Sequence, residues 1–178
     1  MSAPPEFSRP LPLDALGAGE IERTIEADAG ECAALATRFG LEAIERLAAR
    51  AIVRRDGPAV FAKGQVEASV VQACVVTGDP VPGEIAEPFD LRFVPEGQAD
   101  GAEEEIELSA EECETLFYDG NAVDLGEAAA QTMALALDPF PRSGDAGDAL
   151  REAGVISEEE AGPFGALKGL RDKLAGKD

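Results

Sequence analysis

Apolar positions recur at two different spacings along this chain, and the changes from one to the other mark out its elements. Residues 20–28, EIERTIEAD, alternate Ile21, Arg23 and Ile25 against Glu22, Thr24 and Glu26. That two-residue period predicts a strand, and its mixed faces suit a sheet edge. Residues 29–40, AGECAALATRFG, switch to helical spacing: Cys32, Leu35 and Phe39 share a face, and Gly40 stands where a helix would end. Over residues 41–55 the pattern reads both ways, because Leu41, Ile44 and Leu47 suit a helix while Leu47, Ala49, Ala51 and Val53 alternate; the strand is favoured for the second half. The dipeptides DG at 56–57 and KG at 63–64 then punctuate β-prone runs, PAVFAKG, QVEASVVQACVVTG and EIAEPFDLRFVP. Connections this tight predict an antiparallel meander rather than parallel crossovers.

The second half turns on residues 117–141, FYDGNAVDLGEAAAQTMALALDPFP. Asp124 is a good helix N-cap, Glu127 follows at capping-box spacing and Val123 precedes the cap as half of a hydrophobic staple. Leu125, Ala129, Thr132, Met133, Ala136 and Leu137 form one apolar face, and the other positions are so short of polar residues that the helix should be heavily buried. Asp138 before Pro139 ends it, and Pro141 keeps the exit extended. Upstream, FSRPLPL at 7–13 reads as extended, EGQADGAEEEIE as a solvated loop leading into a short strand, and ECETLFYDG as a further strand. The expected fold is therefore α+β: an antiparallel sheet of about five to seven short strands, packed by the helix from Asp124 to Leu137 and by the 29–39 helix. A single domain over 7–142 would lead through an acidic flexible linker, 143–162, with at most one short helix around DALREAG, into an amphipathic helix at 163–174.

Charge narrows the function classes. The 178 residues hold 15 Lys and Arg against 36 Asp and Glu, a net charge of −21, so generic attraction to phosphate or anionic lipid is a poor source of affinity and a basic protein partner suits the chain better. Histidine is absent, which removes the usual general base and the commonest metal ligand. Cys32, Cys74 and Cys113 are scattered and form no C-x-x-C pair; a reducing cytoplasm is the simplest home, with Cys32 as core filler. The start of the chain has no signal-peptide pattern and no apolar run nears about 20 residues, so neither export nor a membrane span is expected. No phosphate-binding glycine loop and no nucleophile elbow occur.

Two clusters could still carry chemistry. Between Phe93 and Pro141 there is no Lys or Arg, and the carboxylates of the 103–124 segment could gather calcium or magnesium in a metal-dependent enzyme. Yet DGNAVDLGE departs from the calcium-loop template, with Val123 where a third oxygen ligand belongs, and a solvated acidic face is the competing reading. Arg46, Arg50, Arg54, Arg55 and Lys63 gather on the first strands of the meander. Sharing one face, they could contact phosphate; otherwise they pair with carboxylates across strands. In the terminal segment, Phe164, Leu167 and Leu170 form an apolar stripe that can dock into a partner or fold back on its own domain.

Three pieces, in order, carry a family resemblance. VQACVVTGDPV at 71–81 is similar to a strand followed by a C-x-x-C-G turn; VDLGEAAAQTMALALDPFP resembles a D-L-centred cap and an apolar helix ending in L-A-L and a proline pair; PFGALKGLRDKL resembles a closing P-F-x-x-L-x-x-L-K/R helix. Together they resemble the YceD family, the large ribosomal RNA subunit accumulation proteins; the N-terminal third is alike in general layout only. The resemblance implies a small cytoplasmic bacterial protein, or a plastid relative, that promotes accumulation of the large-subunit (23S) rRNA, with no enzyme activity and no cofactor. Carried over residue by residue, the family-motif positions are Cys74, Gly78, Asp124, Leu125, Leu135, Leu137, Pro139 and Pro141. Thr77 replaces the second cysteine, and the later family histidine and cysteine beyond the prolines are missing, so no metal site is carried over. With the charge, this points to binding a basic ribosomal protein or a pre-ribosomal large-subunit particle rather than naked RNA; an acidic RNA-mimicking inhibitor is the third class weighed.

Overall fold

A computed structural model describes residues 5–17, 19–96 and 114–155. Among the described residues, besides a short helical turn at Leu13–Ala15, nine elements follow in order: β1 (Pro10–Pro12), β2 (Ile21–Glu26), α1 (Ala29–Phe39), β3 (Ala43–Asp56), β4 (Ala59–Ala73), β5 (Pro80–Pro95), β6 (Glu114–Tyr118), β7 (Ala122–Asp124), α2 (Leu125–Leu135), with a tenth, α3 (Ala146–Glu152), after the prolines. The fold is α+β. Two compact units divide it, Met1–Gln72 with Pro82–Pro139, and Ala73–Val81 with Phe140–Asp178.

The first unit is built on a five-stranded sheet in the order β2-β3-β4-β5-β6, with β1 and β7 forming a separate two-stranded ribbon. β2 and β4 both pair antiparallel with β3. Contacts from Ser69 to Glu84 and from Lys63 to Asp90 run in opposite order along β4 and β5, so that pair is antiparallel too. β6 departs from the expected meander: it pairs parallel with β5, Leu91 opposite Glu114 and Pro95 opposite Tyr118. The strands are also longer than expected, β3 to β5 spanning 14, 15 and 16 residues. KG at 63–64 does not end a strand. A Cβ on Gly64 would lie 2.0 Å from the carbonyl oxygen of Arg50, so this glycine lets two strands approach closely inside β4.

Residues 41–55 belong to β3 almost throughout, and a bulge explains their double reading. The register with β4 shifts between Ile44 and Arg46, so one extra residue puts Ile44 and Leu47 on the same buried face three positions apart. Helical spacing there was the trace of an irregular strand.

α1 forms as its ends dictate. The Asp28 carboxylate accepts from the amides of Gly30 and Glu31 while Glu31 accepts from the Asp28 amide, and Gly40 closes the helix in the left-handed region at φ +67°. α1 and α2 cover one face of the sheet. Phe7, Leu35, Leu47, Val66 and Met133 anchor one core cluster there; Leu11, Val53, Val60, Leu91, Phe93 and Val123 anchor a second. Burial of these side chains is the main favourable term in folding, at roughly 25 cal/mol per Å² of apolar surface. Cys32 lies in the first cluster, as core filler does, and burial pushes its thiol pKa up.

In the second unit, α3 occupies the stretch where a short helix was expected around DALREAG. Residues 163–174, including Phe164, Leu167 and Leu170, lie outside the described residues, as does the acidic segment from 97 to 113 with Cys113.

Candidate functional site

Alternation along β3 separates the arginines. Arg46, Arg50 and Arg54 stand on the sheet face that the helices leave open, whereas Arg55 points elsewhere and donates to the carbonyls of Leu13 at 2.8 Å and Gly57 at 2.9 Å. On the open face the cations have partners. Arg46 lies 3.5 Å from Glu26 and 3.2 Å from Glu67, Arg50 pairs with Glu22, Lys63 lies 2.9 Å from Asp90, and Arg54 stacks 4.1 Å above the Phe61 ring. These are the cross-strand ion pairs of the alternative sequence reading. A phosphate would have to displace a carboxylate at nearly every cation. Exposed pairs are screened by water and contribute little, so Arg50→Ala is expected to leave the urea denaturation midpoint nearly unchanged.

Asp124 is a junction. One carboxylate oxygen accepts from the amides of Gly126 at 2.9 Å, Glu127 at 3.2 Å and Arg9 at 2.8 Å; the other accepts from the Ser8 hydroxyl at 2.6 Å. The residue thus caps α2 and fastens residues 8–9 to it. Gly126 is required by the same approach, because a Cβ there would meet the Phe7 carbonyl oxygen at 2.4 Å. Val123 and Ala128 are buried in one cluster, the two halves of a staple. Glu127 does not complete a capping box; it forms a two-pronged pair with Arg38 at 2.7 and 2.8 Å, and Arg38 holds its carboxyl below the usual carboxylate range. Arg38 also reaches Glu6, and Arg9 clamps Glu31 at the start of α1 in the same two-pronged way.

The end of α2 differs from its sequence reading. The helix stops at Leu135 rather than Leu137, and Leu135 is 75% exposed although Thr132 and Met133 before it are buried. Leu137 packs partly against the first core cluster, and the Asp138 carbonyl accepts from the Gln72 amide at 2.9 Å. Beside Leu135 opens a cleft of about 420 Å³ lined by β5 from Glu87 to Leu91, by Glu114 at the start of β6, by Thr132 of α2 and by Ala136 just past its end. Periodicity places Thr132 and Ala136 on the apolar face of the helix and singles out neither Leu135 nor Glu87 and Glu114. Glu87, Leu91 and Glu114 meet only through the sheet register.

In the second unit Cys74 opens a tight turn. Its amide donates to the Asp79 carbonyl at 2.7 Å, its carbonyl accepts from Gly78 at 2.9 Å, and Gly78 takes φ +77°, which explains glycine there. The buried sulfur accepts from the Ser143 amide at 3.3 Å, the Ser143 hydroxyl at 3.4 Å and the Thr77 amide at 3.5 Å. Pro141 fixes the neighbouring strand of chain by accepting from the Val75 amide at 2.9 Å. This donor set does not fit a thiophilic metal such as zinc: one sulfur stands among hydroxyls and amides, where thiolates or imidazoles are needed. Among the described residues no group of three Cys, Asp or Glu could hold a metal ion.

Hydrogen bonds from Ser143, then Thr77, favour the thiolate and pull the Cys74 pKa down to about 6. A depressed folded-state pKa contributes stability that is complete above the unfolded thiol's value, about 8.5, and is lost as pH falls through the folded one. Stability relative to Cys74→Ser should accordingly rise between pH 6 and roughly 8.5, and thiolate absorbance should show Ser143→Ala moving the titration upward. A flat difference between the two proteins across that window would contradict the bonding described.

The turn, the D-L-G-E cap and the proline exit at 139–141 stand in the chain order that the family pattern requires. Residues 62–171 match the family described as Large ribosomal RNA subunit accumulation protein YceD. The chain belongs to the YceD family. No curated protein and no solved structure matches it. Membership in YceD supports a role in ribosome biogenesis linked to the large-subunit rRNA. β4 from Ala62, β5, β6, β7, α2 and α3 fall within the matched range, whereas α1 and the whole of the arginine-bearing β3 precede it. No helix among the described residues is long and apolar enough to cross a membrane.

Proposed function

We propose that this YceD protein promotes accumulation of the large-subunit rRNA without catalysis, in the cytoplasm, by binding a basic ribosomal protein or a protein-coated pre-ribosomal large-subunit particle. The observation that carries this reading is electrostatic. On the open sheet face Arg46, Arg50 and Lys63 are engaged by Glu22, Glu26, Glu67 and Asp90, so the net charge of −21 is left to act on a partner. Such a surface attracts cationic proteins and repels bare phosphate. Neither a metal-dependent enzyme nor an RNA-mimicking inhibitor gains a specific observation from the described residues.

Co-sedimentation of the tagged chain with ribosomal particles, followed by identification of the bound proteins, tests this directly. Recovery with large-subunit precursors through a Lys- and Arg-rich protein is the expected result. Tight association with protein-free rRNA, weakening steeply with salt, would overturn it.

A further inference from the structure

We infer that the cleft at the C-terminal end of α2 is the docking site for a basic and apolar segment of a protein partner. One apolar side chain would seat against Phe89, Leu91 and Leu135, and an adjacent Arg or Lys would reach Glu87 and Glu114. This rests on the binding reading above and names its surface.

Three features of the cleft converge on that occupant. Phe89 and Leu91 contribute apolar lining, and Leu135 holds a large hydrophobic side chain 75% exposed at the end of a mostly buried helix. Its walls carry carboxylates and no Lys or Arg; the depression on the open sheet face, by contrast, is lined by both signs. The last turn of α2 contains no basic residue, so the partial negative charge of the helix end adds to that of Glu87 and Glu114. Asp90 is engaged by Lys63, which leaves Glu87 and Glu114 to meet the partner's cation.

A wholly apolar ligand would strip water from these carboxylates without replacing it, and a wholly cationic one would leave Leu135 and Phe89 wet. A segment carrying both chemistries satisfies both. At about 420 Å³ the cleft sits toward the small end of the sites that hold ligands, the size for a short anchor rather than a domain.

The test uses the full chain and two labelled synthetic peptides of equal charge, one alternating Arg and Lys with Leu and Phe, the other basic without apolar residues. Fluorescence anisotropy should show the mixed peptide binding more tightly. Leu135→Ala, and separately Glu87→Gln with Glu114→Gln, should each weaken it about tenfold while the melting temperature holds. Three results would overturn the site: no binding of the mixed peptide, equal binding of both peptides that the variants do not change, or a melting temperature that falls by several degrees in Leu135→Ala. The last would show that the chain's own packing uses that side chain. Should the peptide results hold while ribosomal co-sedimentation fails, the docking site stands and the ribosomal reading alone falls.

Discussion

Asp124→Ala is expected to lower the unfolding free energy of the first unit by about 2–4 kcal/mol, measured as a shift of the urea midpoint at constant slope. An ordinary N-cap replacement costs about 1 kcal/mol, because one helical amide loses its acceptor. Asp124 accepts two amides of the α2 first turn and, in addition, the Arg9 amide and the Ser8 hydroxyl. Removing the carboxylate therefore uncaps a helix and releases a chain segment together. Asn at this position keeps one oxygen acceptor, so Asp124→Asn should recover a large part of the loss. If alanine costs no more than a typical cap, the link to residues 8–9 contributes nothing.

Leu47→Ala should cost about 2–5 kcal/mol, the range for emptying a well-packed aliphatic site. Leu47 is 0% exposed and lies in the cluster containing Phe7, Leu35, Val66 and Met133, drawn from both helices, two central strands and the N-terminal segment. Few flexible neighbours surround the vacated space, so relaxation should be partial and the loss should fall toward the upper end. Ala48, its neighbour, faces the opposite side of the sheet; a larger residue there is the useful contrast. Equal losses at the two positions would contradict the register of β3.

Reading along the chain succeeded where local chemistry decides the outcome. α1 begins after Asp28 and closes at Gly40, and α2 begins at Asp124, because caps are made by residues within a turn of the helix end. It failed where partners come from far away. The bulge in β3 turned an alternating pattern into a helical one, and Gly64 resembled a turn residue until Arg50 was seen against it. Capping-box spacing at Glu127 was sound, but Arg38 competes more strongly for that carboxylate than a backbone amide does. At the candidate sites the same division holds. Cys74 and Gly78 were legible as a turn, whereas Ser143, the principal donor to the sulfur, comes from the far side of the proline exit. Leu135 looked like core because its helix is apolar all round; its exposure depends on α2 ending beside a gap in the sheet packing.

The β1–β7 ribbon has a consequence for how the protein is made. Pro10 pairs with Asp124 and Pro12 with Ala122, so β1 leaves the ribosome well before the strand it pairs with and waits for it before it can settle. Nearly the whole sheet has to be synthesised first, and bringing such distant segments together is slow. At about 5–20 residues per second of elongation, that leaves Phe7 and Leu11 without their final neighbours for several seconds in each round of translation. Nascent chains should therefore need the most protection from chaperones before α2 clears the exit tunnel.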